Sequence, residues 1–586
     1  MFDNIKRERK YILGASIGNC VHVAGVIHFL QLAENEGYET EFIGPATPID
    51  KLFERIEETK PNMVGVGYRL TPQNVVPLLK EIDVRRKELS FPVQWVFGGT
   101  KPVADIAREY DFFSFISDGF DDINDSIRFL RGLSPEEKVE NFGSDLVSRI
   151  NLNYPYPILR HHFGRPSFEE TVRGIETIAG AKVLDVVSIG PDQNAQQFFF
   201  HPEKMSEDFT GAGGVPLRSK DEFAELKSAA QRGNFPLIRC YSGTEDVFQY
   251  AEMLRETIDN AWAAIPLCWY NELDGRGTRT IEQSMTEALD LMRWHAERDI
   301  PVECNEPHHW GLRDAHDVIP VAMAYIAAYN AKKCGVKHYI SQYMFNNPNG
   351  LTFSMDLAKV LAMIEMVESL ADDAFHVYRE TRAGLALFNA DEAVAKGQLA
   401  ASTFMQMAVK PHIIHVVGYC EADHAAKAEE VVESCRIVKG VIRHTLGDSF
   451  SIEKDENIQR RKEELMREAN YLISFIANEY DSFEDPIGTP YVLCDCIYKG
   501  YIDAVHIKKN ERFKGDLKTK ILNGCCVAVN PENGKIMSEE ERLNRLKGRY
   551  TKPMGVESDY DTERFRSRSD YGGGTSGPYD GGASIA

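Results

Sequence analysis

The sequence predicts an α/β protein: a Rossmann-like (flavodoxin-like), doubly wound parallel sheet, then a (β/α)8 TIM barrel and a small C-terminal α+β extension. Two observations predict this. Short apolar runs alternate with helix-spaced amphipathic stretches from Lys10 to about residue 132, the pattern of a doubly wound parallel sheet. After a proline-bearing break the alternation resumes for about eight further units, the count expected of a barrel. A chain of 586 residues is also too long for a single core.

The first unit, 1–133, reads as follows. Tyr11–Ala15 is an apolar strand, and Val23–Glu36 has helical spacing with Val26, Phe29, Leu30, Leu32 and Ala33 on its buried side. Tyr38–Gly44, Met63–Tyr68, Pro92–Phe97 and Phe112–Ile116 read as further strands. Residues 134–157 read as a linker, marked by Pro135 and the run Tyr154-Pro155-Tyr156-Pro157. Barrel strands are expected across 158–450, near Arg160–Arg165, then at Val183–Ile189, Pro236–Cys240, Ala263–Trp269, Pro301–Cys304, His338–Gln342, Ala374–Tyr378 and His412–Val417. Ile281–Ala296 and Ala315–Lys333 are the clearest helices between them. Polar residues gather just after these strands, where barrel active sites form: Asp192, Gln196, Tyr241, Tyr270, Asn305 to His309, and Glu421. The extension, 451–557, opens with a charged helix at Glu456–Glu479. The Gly-, Ser- and Asp-rich tail 558–586 is expected to be disordered.

Composition narrows the function classes. The formal charge of −22 argues against a nucleic-acid partner, which needs a basic face. The N-terminus is charged and lacks the apolar stretch of a signal peptide, and no run is long enough to span a membrane. A cytoplasmic location is the expectation. The 11 cysteines, scattered mostly on apolar strands, fit a reducing compartment better than a disulfide framework.

The most informative motif is Cys20-Val21-His22-Val23-Ala24-Gly25, followed by Tyr68-Arg69-Leu70 and by Gly98-Gly99, each at a predicted strand end. Order and spacing resemble the signature of cobalamin-binding domains that supply a histidine to cobalt: Asp-x-His-x-x-Gly, Ser-x-Leu and Gly-Gly. The resemblance implies His22 as the cobalt ligand and Cys20, Gly25, Tyr68, Leu70, Gly98 and Gly99 as cofactor-binding residues. An imidazole ligates metal only through an unprotonated nitrogen, and its second nitrogen normally has a partner that fixes the tautomer. Cys20 stands where the signature has that Asp partner, and Tyr68 where it has Ser. Glycine permits close backbone approach by a ligand.

The barrel and extension, from about Phe163 to Arg545, resemble the large subunit of glutamate mutase (methylaspartate mutase). The resemblance rests on the order of Ser242-Gly243-Thr244-Glu245-Asp246, Tyr270-Asn271, Thr280 to Ser284, Glu306-Pro307, Gly335-Val336-Lys337, Glu421-Ala422, Gly500 to Ala504 and Asn523 to Cys526. It implies an adenosylcobalamin-dependent isomerase working by a radical mechanism, with both parts of the enzyme on one chain. Of the three arginines that hold the family's dicarboxylate, Arg165 occupies the first position, while Gln196 and Tyr241 stand at the other two. The family's catalytic glutamate falls at Ala264, its active-site tyrosine is kept as Tyr270, and a ribose-contacting glutamate falls at Glu421, its lysine partner near Val417. Losing two arginines points to a substrate other than glutamate, with at most one carboxylate firmly held, since a buried carboxylate without its partner costs about 3–5 kcal/mol. Tyr270 and Glu306 are the candidate catalytic residues; Arg165, Gln196, Tyr241 and His309 are the candidate substrate contacts. The corrin is expected between the first domain and the barrel mouth, and a fused chain implies a homodimer. Two alternatives stand beside this reading. A corrinoid methyltransferase would use zinc-binding cysteines at strand ends, for which Cys240, Cys268 and Cys304 are available. The other is a non-catalytic cobalamin-binding protein, a sensor or carrier, against which the polar residues crowded at the strand ends argue.

Overall fold

The computed structural model describes residues 10–119, 123–130, 132, 142–241, 243, 245–446, 452–507, 513 and 515–547; the tail predicted to be disordered lies outside them, as do Ser242 and Thr244. Five strands, β1 (Tyr11–Ser16), β2 (Glu39–Phe42), β3 (Met63–Tyr68), β4 (Gln94–Gly99) and β5 (Phe113–Ser117), form a parallel sheet in the order β2-β1-β3-β4-β5. This is the flavodoxin-like order, and its direction reverses between β1 and β3, where ligands of such sheets sit. Both faces are covered, as all-parallel sheets require. Leu13, Val64, Val66 and Phe97 pack on one side with Leu52, Phe53 and Leu79. Ile12, Met63 and Val96 pack on the other with Val26 and Leu30 of the helix Ala24–Asn35. Gly67 lets that helix lie close: a Cβ there would stand 2.4 Å from Val26 Cγ2.

Eight parallel strands then follow: β6 (Ile158–Phe163), β7 (Val186–Ile189), β8 (Leu237–Cys240), β9 (Ala263–Ala264), β10 (Val302–Cys304), β11 (His338–Phe345), β12 (His376–Ala383) and β13 (Ile413–His415). They form one sheet in which β13 pairs with β6, and the Ala261 N–H donates to the Ile238 carbonyl at 3.0 Å across the remaining seam. The result is a nearly closed TIM-like barrel.

Alternation along each strand sorts the interior into layers. At the N-terminal end, Ile158, Val186, Trp262, Ile340 and Ile413 form an apolar plug. One step up lies a layer of buried charge: Arg160, Ser188, Arg239, Glu303, Gln342 and Glu380. One step further, at the mouth, His162, Tyr241, Arg382 and His415 follow. The outward parity belongs to Cys240 and Cys304, which join the apolar layers between strands and helices.

Element positions differ from the sequence reading where side chains capture the backbone. The strand expected to run to Trp269 stops at Ala264, because the Glu306 carboxylate takes the Leu267 and Cys268 N–H groups and peels the chain from the sheet. The strand expected near Arg160–Arg165 begins two residues earlier, and that expected to end at Tyr378 runs to Ala383. The helices Ile281–Ala296 and Glu456–Glu479 stand where the pattern puts them. The second of these packs through Leu465, Ala469 and Leu472 into the barrel's larger apolar cluster. A hairpin of β14 (Thr519–Leu522) and β15 (Cys525–Ala528) is tied to the barrel where Cys526 N–H donates to Asp317 at 3.0 Å. No helix among the described residues is long and apolar enough to cross a membrane.

Candidate functional site

Two regions carry chemistry. The first is a groove of about 830 Å³ along the carboxyl ends of β1, β3, β4 and β5, lined by His22, Gly25, Tyr68, Arg69, Gly98 and Gly99 among others. That volume lies within the ~300–1,000 Å³ typical of small-molecule sites. The loop after β1 is built to present one imidazole. Gly18, at φ 65°, turns the chain, and its N–H donates to the Thr47 carbonyl at 2.8 Å. Cys20 is fully buried beneath the loop, and the Arg69 N–H donates to its sulfur at 3.3 Å. His22 is exposed, with Nδ1 3.7 Å from the Cys20 sulfur. The Ser16 hydroxyl donates to the His22 carbonyl at 3.3 Å, and the Tyr68 hydroxyl donates to Asn19 at 3.1 Å. The thiol thus stands against one ring nitrogen, leaving Nε2 as the nitrogen able to take a ligand.

The glycines of the motif divide into two kinds. A Cβ on Gly25 or Gly98 would meet nothing within 4 Å, so both open onto free space. A Cβ on Gly99 would stand 2.8 Å from the Tyr68 carbonyl oxygen, so Gly99 is required by the sheet itself. Leu70 follows β3 and is half-buried.

The far wall of this groove comes from Tyr156, just before β6, and from Gly440, Arg443 and His444. Those three lie in the last turns of the helix Ala428–Thr445, which runs back from the mouth after β13 toward the N-terminal end of the barrel. The groove therefore faces the plugged end, whereas the sequence reading set it against the mouth. The intervening helix has 18 residues, or roughly 27 Å at 1.5 Å per residue.

The second region is the barrel mouth and the charge layer beneath it. Arg160 is paired with Glu380, its Nε donating at 2.8 Å. Arg239 and the Trp262 indole both donate to Glu303 at 2.7 Å, and Gln342 bridges Glu303 and Glu380 at 2.9 and 2.8 Å. Two cations and two anions balance. Above them the Tyr241 hydroxyl lies 2.6 Å from His162 Nε2, and Arg160 donates to the same nitrogen at 3.0 Å. Burial pushes the Tyr241 hydroxyl up to about 12. Burial, reinforced by nearby arginines, pushes His162, His308 and His415 well below the usual imidazole range, so these rings are neutral. His309 moves the same way, through burial and the neighbouring His308.

The structure places the sequence-predicted barrel residues as follows. Tyr241 faces the mouth. Tyr270, at φ 65° and nearly buried, lies under the Arg276 guanidinium and edge-on to His309, with ring centres 6.0 Å apart. Glu306 is fully buried; besides the two backbone donors its carboxylate receives the Trp310 indole N–H at 2.8 Å, and burial raises its pKa. It fastens the loop that carries Tyr270. Gln196 sits half-buried on the short helix Gln193–Phe198 after β7. Arg165 lies on the rim, donating to the Ala425 carbonyl at 2.7 Å and facing Glu170 at 3.8 Å. Glu421 is 2.9 Å from His161 Nε2 and accepts the Gly418 N–H at 2.5 Å; burial raises its pKa, but His161 and these hydrogen bonds outweigh that and keep it below the usual carboxylate value. Ala264 has inward parity and leaves that place on the wall empty of any functional group. Cys240, Cys268 and Cys304 are all buried, burial raises each thiol (Cys240 to about 12), and none belongs to a metal-competent cluster among the described residues.

Sequence reasoning missed Arg382, His162 and His415. The i, i+2 pairs Arg160/His162 and Glu380/Arg382 carried the signal: two polar residues of like parity on one strand. It is lost when β6 is drawn two residues late and β12 is ended at Tyr378.

No family model and no curated protein matches the chain. Among solved structures, a cobalamin-binding protein from Desulfitobacterium hafniense DCB-2 is similar at 20% identity over 21% of this chain and 57% of that one, with a TM-score of 0.17. The cobalamin-dependent S-adenosylmethionine radical enzyme OxsB, in its apo form, is similar at 10% identity over 75% of this chain and 56% of that one, again with a TM-score of 0.17. OxsB with aqua-cobalamin bound gives 11% identity over the same shares. The chain thus spans little more than half the length of these proteins.

Proposed function

We propose that this chain is a cobalamin-dependent enzyme, an isomerase that rearranges a small carboxylate other than glutamate. The observation that carries the reading is the loop after β1: an exposed His22, backed on Nδ1 by the buried Cys20 sulfur, at the edge of a groove opened by Gly25 and Gly98. These residues fit a corrinoid: one free imidazole nitrogen for cobalt and glycine-lined space for the remainder of the cofactor. Bound adenosylcobalamin would supply hydrogen-atom abstraction; orientation and exclusion of water fall to the protein. Tyr241, Tyr270 and His309 enclose the mouth, Gln196 offers a neutral hydrogen bond, and Glu306 holds the loop that positions Tyr270. Glu421 is the residue proposed to meet the cofactor's ribose.

Groove and mouth lie at opposite ends of the helix Ala428–Thr445, so catalysis requires the N-terminal unit to move. The same separation favours a second reading, a cobalamin-binding protein that performs no reaction in its barrel. One experiment separates them. Purified protein loaded with adenosylcobalamin is mixed with small acids, amides and hydroxy acids and frozen for electron paramagnetic resonance. The isomerase reading expects a radical signal coupled to cob(II)alamin with at least one acid. Silence with every compound supports the carrier, and brisk conversion of glutamate to 3-methylaspartate contradicts the proposed substrate class.

A further inference from the structure

We infer that Arg382, near the carboxyl end of β12, is the anchor for a single substrate carboxylate. This rests on the isomerase reading for its biological meaning, but the site stands on its own geometry. Arg382 is half-buried inside the barrel mouth, and among the described residues its one hydrogen bond runs from Nε to the Ala383 carbonyl at 3.3 Å. No described carboxylate pairs with it. The other two described cations of the barrel interior are matched: Arg160 by Glu380, Arg239 by Glu303. A half-buried guanidinium with no ion-pair partner is a place where an incoming anion gains most.

The surroundings supply further donors, and the carboxylates that act on Arg382, Glu421 and Glu380, do so through space without reaching ion-pair distance, each held by donors of its own. Because a guanidinium only donates, the Arg160 contact makes His162 Nε2 the unprotonated nitrogen and puts the proton on Nδ1. That Nδ1 is buried and has no partner, and neither does Nδ1 of His415, whose ring lies 4.6 Å from His162 and whose backbone is the register neighbour of Arg382. His162, Tyr241 and Arg382 each keep some contact with solvent although they sit within the wall, so the mouth is open to a small molecule. With Nε given to Ala383, the edge formed by the two terminal nitrogens stays free, and it suits a carboxylate bidentately. A phosphate dianion would need a second free cation, and the described mouth offers none. Arg165, the sequence candidate for this task, spends its donors on Ala425 and leans toward Glu170 at the rim.

The test needs no cobalamin. Acetate, propionate, isobutyrate and lactate, each beside its amide, are titrated into the full chain by calorimetry and saturation-transfer NMR. At least one acid should bind ten times more tightly than its amide. Arg382→Gln should weaken that acid about 100-fold or more, and Arg382→Lys, which keeps charge but not the fork, about tenfold. Arg165→Gln should change it less than threefold. Circular dichroism checks each variant, and if Arg382→Gln does not fold, the Lys variant decides. Equal binding of acids and amides, wild-type affinity in the folded Arg382 variants, or an equal loss in Arg165→Gln overturns the inference. Arg382-dependent binding without any radical signal in the resonance experiment leaves the anchor standing and removes the isomerase.

Discussion

The groove of the first domain and the mouth of the barrel are built on opposite principles. The groove is made by leaving things out: two glycines that face free space and one exposed imidazole on a turn. The mouth is made by burying charge and balancing it, with two carboxylates and two guanidiniums locked beneath a ring of neutral histidines. A groove of that kind can change its ligand affinity at little cost to folding. A mouth of that kind cannot lose one partner without exposing the other's desolvation.

The sharpest break is therefore in the barrel. Glu303→Ala removes the acceptor of Arg239, Trp262 and Gln342 and should cost about 3–5 kcal/mol, read as a lower urea midpoint with unchanged slope. Next come the neighbouring glycines. Gly99→Ala drives a methyl against the Tyr68 carbonyl and should cost about 1–3 kcal/mol, whereas Gly98→Leu should leave stability within about 0.5 kcal/mol and yet weaken aquacobalamin binding at least tenfold. If Gly98→Leu binds cobalamin like the wild type, the ligand does not lie in this groove. An effect on the same scale is expected at the support of the imidazole: Cys20→Ala should lose about 10–100-fold in cobalamin affinity, measured by spectrophotometric titration.

The smallest effect is on pH. In the extension, burial and the acidic Glu539 and Glu464 push the Glu468 carboxyl up to about 7. Its folded form holds a proton more tightly than the unfolded chain, where the group titrates near about 4.3. Its contribution is complete below that value and fades as pH rises through about 7. Glu468→Gln should flatten the decline in melting temperature across that window and leave cobalamin binding unchanged.

The contrast also explains what could be read in advance. Rossmann-like and barrel periodicities are legible because burial on both faces of parallel strands writes long apolar runs, and His22 stands out because its neighbours sit at strand ends in signature order. Arg382 stays hidden, since its meaning depends on which strand faces it and on no described carboxylate reaching ion-pair distance, neither of which is a local property. The short β9 is hidden for the same reason: its apolar run to Trp269 reads as strand, but a carboxylate 39 residues away from Leu267 takes the N–H groups the sheet would have used. The position of the groove at the plugged end is a matter of how two units dock, and no stretch of sequence states it.

The central claim is that His22 is the cobalt ligand. Protein loaded with cob(II)alamin and grown with 15N-histidine gives the direct measurement, by electron paramagnetic resonance. The account predicts that the nitrogen hyperfine splitting changes with the label and disappears in His22→Ala. A splitting untouched by the label, arising from the cofactor's own benzimidazole, would contradict it.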